Sequence, residues 1–223
     1  MKKQSKSGFT IAEVLITIGI IGVVATLTMG VIIPKVQKES AGTKLKKFFS
    51  SINQAMIMAT NENGGKPELP RSDYTYKQNV QWLEINILPY IKYFSIKNCN
   101  DPNQYRRNAA CVTLTSGDMF EFVVDYNGAD FLYFPDGKWS SIENNKLAQR
   151  QVFAFQFSKR AKANDDSVIK SEDFIEAYTY KWNGNNTALY NDTEYGCKKG
   201  KKKFYCAKII QLNSWDVPNE YPW

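Results

Sequence analysis

The chain has 223 residues, enough for one domain with a real core plus an appendage. Its 43% hydrophobic and 14% aromatic content exclude a disordered tail, and the absence of histidine excludes His-based acid–base catalysis, Ser-His triads and His-ligated metals. Three of the seven surplus positive charges, Lys2, Lys3 and Lys6, fall in the first eight residues, and the remaining +4 does not by itself imply nucleic acid.

Residues 1–8 read MKKQSKSG, a short, polar, basic leader. Residues 9–33 then read FTIAEVLITIGIIGVVATLTMGVII, with no charge from Val14 to Ile33. As a helix that uncharged run spans about 30 Å, the hydrocarbon thickness of a bilayer, and predicts one membrane-spanning helix. A secretory signal peptide would share the basic start. But the run is long for such a segment, no A-x-A site follows it, and Glu13 is misplaced for that role. Thr10 and Glu13 also form T-x-x-E, a capping box that satisfies free N–H groups at a helix start and suits the helix dipole. Capping explains the residue types locally. It does not explain why a charge is kept at the edge of a membrane span, where it is costly unless paired.

Gly8-Phe9-Thr10-Ile11-Ala12-Glu13 followed by VLITIGIIGVVATLT resembles the leader of type IV prepilins and pseudopilins. The resemblance implies that a prepilin peptidase cuts after Gly8 and that the new N-terminal Phe9 is N-methylated. It also implies that Glu13 pairs with the N-terminal amine of a neighbouring subunit. The physics agrees, since cleavage creates a cation beside the membrane that a carboxylate on the adjacent protomer can neutralise. Members of the family commonly carry a proline about one turn before the position of Pro34. Here that place is Gly30.

Past the span, Leu45, Phe48, Phe49, Ile52, Met56 and Ala59 recur at three-and-four spacing, which predicts an amphipathic helix covering its own domain's core. Asn63-Gly64-Gly65 is its stop, and Pro34 a candidate bend. Residues 79–94 read as a short helix broken at Pro89. CVTLTS and MFEFVVD, separated by Gly117-Asp118, and ADFLYF after Asn127-Gly128 read as a strand meander. VFAFQF at 152–157 reads as a half-buried strand and FYCAKIIQL at 204–212 as another. The expected fold class is α+β, a long N-terminal helix packed on a small antiparallel sheet. The expected divisions are 1–8 leader, 9–33 transmembrane helix, 34–63 amphipathic continuation and 64–223 globular head. The VVDYNG segment and the ending CAKIIQLNSWDVPNEYPW also resemble heads of bacterial proteins that carry such a leader.

Three candidate sites lie in the head. Asp125, Asn127 and Asp130 form D-x-N-G-x-D, whose alternating oxygens suit calcium, which some major pseudopilins bind; a plain Asn-Gly hairpin explains the same letters. Lys198, Lys199, Lys201, Lys202 and Lys203 form a basic run near Tyr195, Phe204 and Tyr205. They can serve an anionic ligand or simply mark a solvated hairpin tip. The four cysteines, Cys99, Cys111, Cys197 and Cys206, have no C-x-x-C spacing. They would be two disulfides outside the cytoplasm or free thiols inside it, with Cys99–Cys111 and Cys197–Cys206 the closest of three pairings in sequence.

These readings converge on a structural filament subunit, not an enzyme, with no resident cofactor. Its partners are a prepilin peptidase, other pilin or pseudopilin subunits and the inner membrane. The alternatives are a single-pass anchored binding protein that never polymerises, and a minor pilin acting in adhesion or DNA uptake. Orientation is contested within the sequence. Lys35, Lys38, Lys44, Lys46 and Lys47 outnumber the leader lysines and point the head to the cytoplasm by the positive-inside rule. The leader resemblance implies the opposite, an extracytoplasmic head on a bacterial inner-membrane anchor.

Overall fold

The computed structural model describes residues 8–67, 75–99, 106, 108–125, 128–140, 148–157 and 174–223. The basic leader residues Lys2, Lys3 and Lys6 and the calcium candidate Asn127 lie outside them. The chain falls into two compact units divided between Ser40 and Ala41.

Helix α1 runs Ile11–Asn63. Its start is the capping box read from sequence. The Glu13 amide donates to Thr10 Oγ1 at 3.3 Å, and the Thr10 amide and hydroxyl both donate to Glu13 Oε2 at 2.8 Å. Within the first unit, Ile11–Gly30 has a mean hydropathy of 2.2 and none of it is buried. Its hydroxyls are satisfied inside the helix: Thr17 donates to Val14 O at 2.8 Å, Thr26 to Gly22 O at 2.6 Å and Thr28 to Val24 O at 3.0 Å. That is the form in which threonine tolerates an apolar surround. The helix continues through Pro34, which has no N–H to give the Gly30 carbonyl four residues back. It stops at Asn63, where Gly64 takes a left-handed φ of 69°.

The second unit is a six-stranded antiparallel sheet whose strands lie side by side in chain order. They are β1 (Tyr93–Asn98), β2 (Ala110–Leu114), β3 (Met119–Asp125), β4 (Gly128–Phe134), β5 (Phe153–Phe157) and β6 (Ile175–Ala177). Register explains its two faces. Phe120 pairs with Tyr133, Phe122 with Phe131, and Phe131 with Phe155, so the aromatics of β3, β4 and β5 share one face. The C-terminal half of α1 seats Leu45, Phe48, Ile52, Met56 and Ala59 in the core there, with Phe48 stacked on Tyr133 at 4.4 Å between centroids. Helix α2 (Tyr76–Asn86), started by a Thr75–Gln78 capping box, adds Trp82, stacked on Phe122 at 4.8 Å. Two buried asparagines close backbone gaps. Asn79 Oδ1 accepts from the Val124 amide at 3.0 Å, and Asn53 Oδ1 accepts from the Phe174 and Ile175 amides at 2.8 and 3.0 Å.

The opposite face carries Glu121, Asp130, Gln156 and Glu176, all buried. Arg106 reaches this face: its Nε lies 2.5 Å from Glu121 Oε1 and its Nη1 3.5 Å from Asp130 Oδ2. The Trp139 indole donates to Glu121 Oε2 at 2.8 Å. Carboxylates so deeply buried are tolerable only when paired in this way. Beside them the Cys99–Cys111 disulfide staples the end of β1 to β2, with Cα atoms 5.1 Å apart. The second disulfide, Cys197–Cys206, closes a nine-residue separation. Both pairings are the short ones.

Several readings need correction. Residues 79–94 are not one broken helix. The helix ends at Asn86, a single 3-10 turn covers Leu88–Tyr90 around Pro89, and Tyr93 already opens the edge strand. VFAFQF is buried on both faces, not half-buried, because Gln156 donates to Glu176 and Thr179 and so enters the interior fully satisfied. FYCAKIIQL is not a strand. Cys206–Leu212 is helix α5, and its apolar Cys206, Ile209 and Ile210 fall at helical spacing. The remaining helices, α3 (Ala148–Gln151) and α4 (Asn186–Asn191), are short.

One buried pair gives a pH signature. Tyr133 donates to Asp118 Oδ2 at 2.6 Å, and burial, helped by that carboxylate, pushes its phenol well above the ordinary tyrosine range. A phenol whose folded pKa is raised contributes stability that is complete below its unfolded value of about 10 and is lost as pH rises past it. The Tyr133 share of the tyrosinate absorbance, read as the difference between the wild type and Tyr133→Phe, should therefore appear only with alkaline unfolding and not before it. Tyr133→Phe keeps the stack on Phe48 but strips Asp118 of a donor. Denaturant titration at neutral pH should show a loss of about 1–3 kcal/mol.

Candidate functional site

The junction singled out by sequence lies at the start of α1. Phe9 is 90% exposed, and a side-chain carbon placed on Gly8 would meet none of the described residues within 4 Å. Glu13 follows one helical turn later with both Thr10 donors on a single carboxylate oxygen. No cation pairs with Glu13 among the described residues. The arrangement can accept an external ammonium without breaking the cap, because the second oxygen stays available. Behind it, Leu15, Ile18 and Ile21 are among many large apolar side chains uncovered on the helix surface. A helix that is apolar all round is made to be surrounded by lipid or by other helices.

The lysine run does not form the tip of a strand hairpin. It lies in a tight coil between α4 and α5, closed by the Cys197–Cys206 bridge, where Cα atoms are 4.8 Å apart. The amide of Cys197 donates to Leu189 O at 2.8 Å, and those of Lys198 and Lys199 to Tyr190 O at 2.9 and 3.1 Å. Asp192 Oδ1 accepts from the Glu194 and Tyr195 amides at 2.9 and 2.7 Å. Lys198, Lys199 and Lys201 are exposed. Lys202 lies 3.3 Å from Glu194 and 5.8 Å above the Tyr195 ring. The nearby aromatics serve the core more than the surface: Tyr178, Tyr195, Phe204 and Tyr205 pack on one another, and the Tyr205 hydroxyl donates to Tyr180 O at 2.7 Å.

Of the calcium candidates, only the Asp130 side chain is described. It faces Arg106, and the β3–β4 hairpin closes with Asp125 opposite Gly128. The sulfurs of Cys99 and Cys111 come within 4.8 Å of a Glu121 oxygen, but the sulfurs are joined to each other and the carboxylate is held by Arg106 and Trp139. This cluster is a structural knot, which neither the strand alternation nor the cysteine spacing announced. A groove of about 290 Å³ between α1 and the β2–β3 turn is lined by Lys47, Met58, Lys92 and Asp118, with Asp118 already engaged by Ser116 and Tyr133.

Comparison with known families gives two matches. Residues 3–29 match the prokaryotic N-terminal methylation motif. Residues 31–223 match a family of unknown function, DUF6613. No curated protein and no solved structure matches the chain. The motif covers Gly8, Phe9, Glu13 and the apolar run, the features that stand together at the head of α1. The chain thus belongs to the family of unknown function DUF6613, with a prepilin leader of the type IV pilin-like and pseudopilin kind at its N-terminal end.

Proposed function

We propose that this chain is a structural subunit of a type IV pilus-like or type II secretion pseudopilus filament. One conjunction carries the reading: a methylation motif, a carboxylate at Glu13 with no cation of its own among the described residues, and a span of which nothing is buried. In this account prepilin peptidase cuts after Gly8 and the Phe9 amine is methylated. The apolar helix first holds the protein in the inner membrane in a single pass. It then leaves lipid for a helical core of like subunits, where Glu13 of one protomer neutralises the Phe9 ammonium of the next. Desolvating either charge alone is unfavourable, so the pair selects one axial stagger between neighbours as well as stabilising it.

The capping box gives Glu13 a local role and so favours a competing reading, a membrane anchor that never polymerises. Glu13→Ala separates the two. It should leave insertion intact, since it removes a charge from the edge of the bilayer. It should also cut the yield of sheared filaments about tenfold or more, because an ion pair worth even about 1.4 kcal/mol has that effect. Normal filament yield in this variant would leave Glu13 as a cap only. N-terminal sequencing should begin at methylated Phe9; a start at Met1 or beyond the apolar run would end the filament reading.

We also place the head outside the cytoplasm. Among the lysines that oppose this orientation, Lys44 is partly engaged within the head, donating to Pro135 O at 2.8 Å. Two disulfides fit an oxidising compartment. Alkylation of the unreduced, denatured protein taken from cells should label none of the four cysteines. Four labelled thiols would place the head in the cytoplasm.

A further inference from the structure

We propose that the disulfide-tied lysine coil, together with Lys181, is a binding surface for a base-free phosphodiester polymer of the cell envelope, of the polyol-phosphate kind. The setting, an extracytoplasmic head, rests on the function proposed above; the binding chemistry does not.

The coil concentrates charge. Among the described residues, Lys202 is the coil lysine with a carboxylate partner, Glu194. Among the described residues no carboxylate pairs with Lys198, Lys199, Lys201 or Lys203. Like charges this close repel, so the fold holds them together at a cost. The restraints are the Cys197–Cys206 bridge, the hydrogen bonds that the Cys197, Lys198 and Lys199 amides donate to Leu189 O and Tyr190 O, and two glycines, Gly196 and Gly200, packed so tightly on backbone that no side chain fits. Backbone strain marks the same place. Lys203 sits at φ 52° and Lys181 at φ 62°, a region that side chains larger than glycine seldom adopt. The rings connect them. Lys181 Nζ lies 5.3 Å from the Tyr180 centroid, Tyr180 is 6.1 Å from Tyr195, and Lys202 covers Tyr195. Lys181 therefore joins the coil through the aromatic layer, which its distance in sequence conceals.

The chemistry of the surface selects its ligand. Lysine ammoniums are compact point charges that suit phosphate, and the coil has no arginine fork for bidentate reading of a carboxylate. Lys198, Lys199 and Lys201 are exposed along consecutive turns of the coil, which favours a chain of repeated charges over a single ion. Lys181 and Lys202 already lie over Tyr180 and Tyr195, so those rings support cations and offer little face for stacking bases. A rigid, prestrained coil also loses little conformational freedom on binding.

The test uses the mature full-length chain in detergent, with labelled poly(glycerol phosphate) and oligo-dT read by fluorescence anisotropy. Poly(glycerol phosphate) should bind, and its affinity should fall about tenfold between about 50 and 200 mM salt as counterion release requires. Replacing three exposed coil lysines together, Lys198→Gln, Lys199→Gln and Lys201→Gln, should weaken binding about tenfold and flatten the salt dependence. The same loss of charge elsewhere on the head, Lys46→Gln, Lys77→Gln and Lys97→Gln, should change affinity less than twofold, roughly. The coil variant should still be cleaved after Gly8 and assemble, which keeps this proposal separate from the filament reading. Absence of binding, equal loss in both triple variants, or tighter binding of oligo-dT than of poly(glycerol phosphate) would each overturn it.

Discussion

Twenty residues of α1, Ile11–Gly30, present an apolar surface that none of the described residues buries. At about 25 cal/mol per Å² such a surface cannot stay in water, and only lipid or other apolar helices can cover it. Everything else about the N-terminal unit is consistent with moving between those two environments. Its helix satisfies its own backbone except at the Gly30 carbonyl opposite Pro34, and its threonine hydroxyls fold back onto carbonyls. The one charge within Ile11–Gly30, Glu13, sits near its N-terminal end, where it can remain near the aqueous boundary until a partner ammonium replaces water.

The second unit solves a different problem. Its sheet is buried on both faces at β3, β4 and β5, yet one face carries two carboxylates that the strand alternation would otherwise turn to solvent. Arg106 and Trp139 make that burial possible, and the neighbouring Cys99–Cys111 bridge ties the edge strand beside them. The other bridge acts on the far end of the chain, where it holds the lysine coil between two short helices too small to be stable alone. In both places a disulfide supports a region with unfavourable electrostatics, buried charge in one and crowded like charge in the other.

What could be read from sequence was what local spacing encodes. The Gly8-Phe9…Glu13 pattern, the three-and-four repeat from Leu45 to Ala59, and the turn at Gly117-Asp118 each fix an element without reference to distant residues. The edge strand β1 escaped because Ser95, Lys97 and Asn98 blur its alternation and Phe94 bulges out of register. Helix α5 was mistaken for a strand because its aromatic and β-branched residues suit either state, and tertiary packing decides. The Arg106–Glu121–Asp130 network joins residues far apart in sequence, and nothing local to Arg106 signals that it will be buried. The same holds for Lys181 and the coil.

The central claim is that like helices, not lipid alone, finally cover Ile11–Gly30. Site-specific photo-crosslinking from Ile20 in intact cells tests it most directly. The account predicts adducts with the N-terminal helices of the same chain or of other chains bearing this leader, and their loss in Glu13→Ala while the protein stays in the membrane. Lipid adducts alone from the mature protein, unchanged in Glu13→Ala, would contradict it.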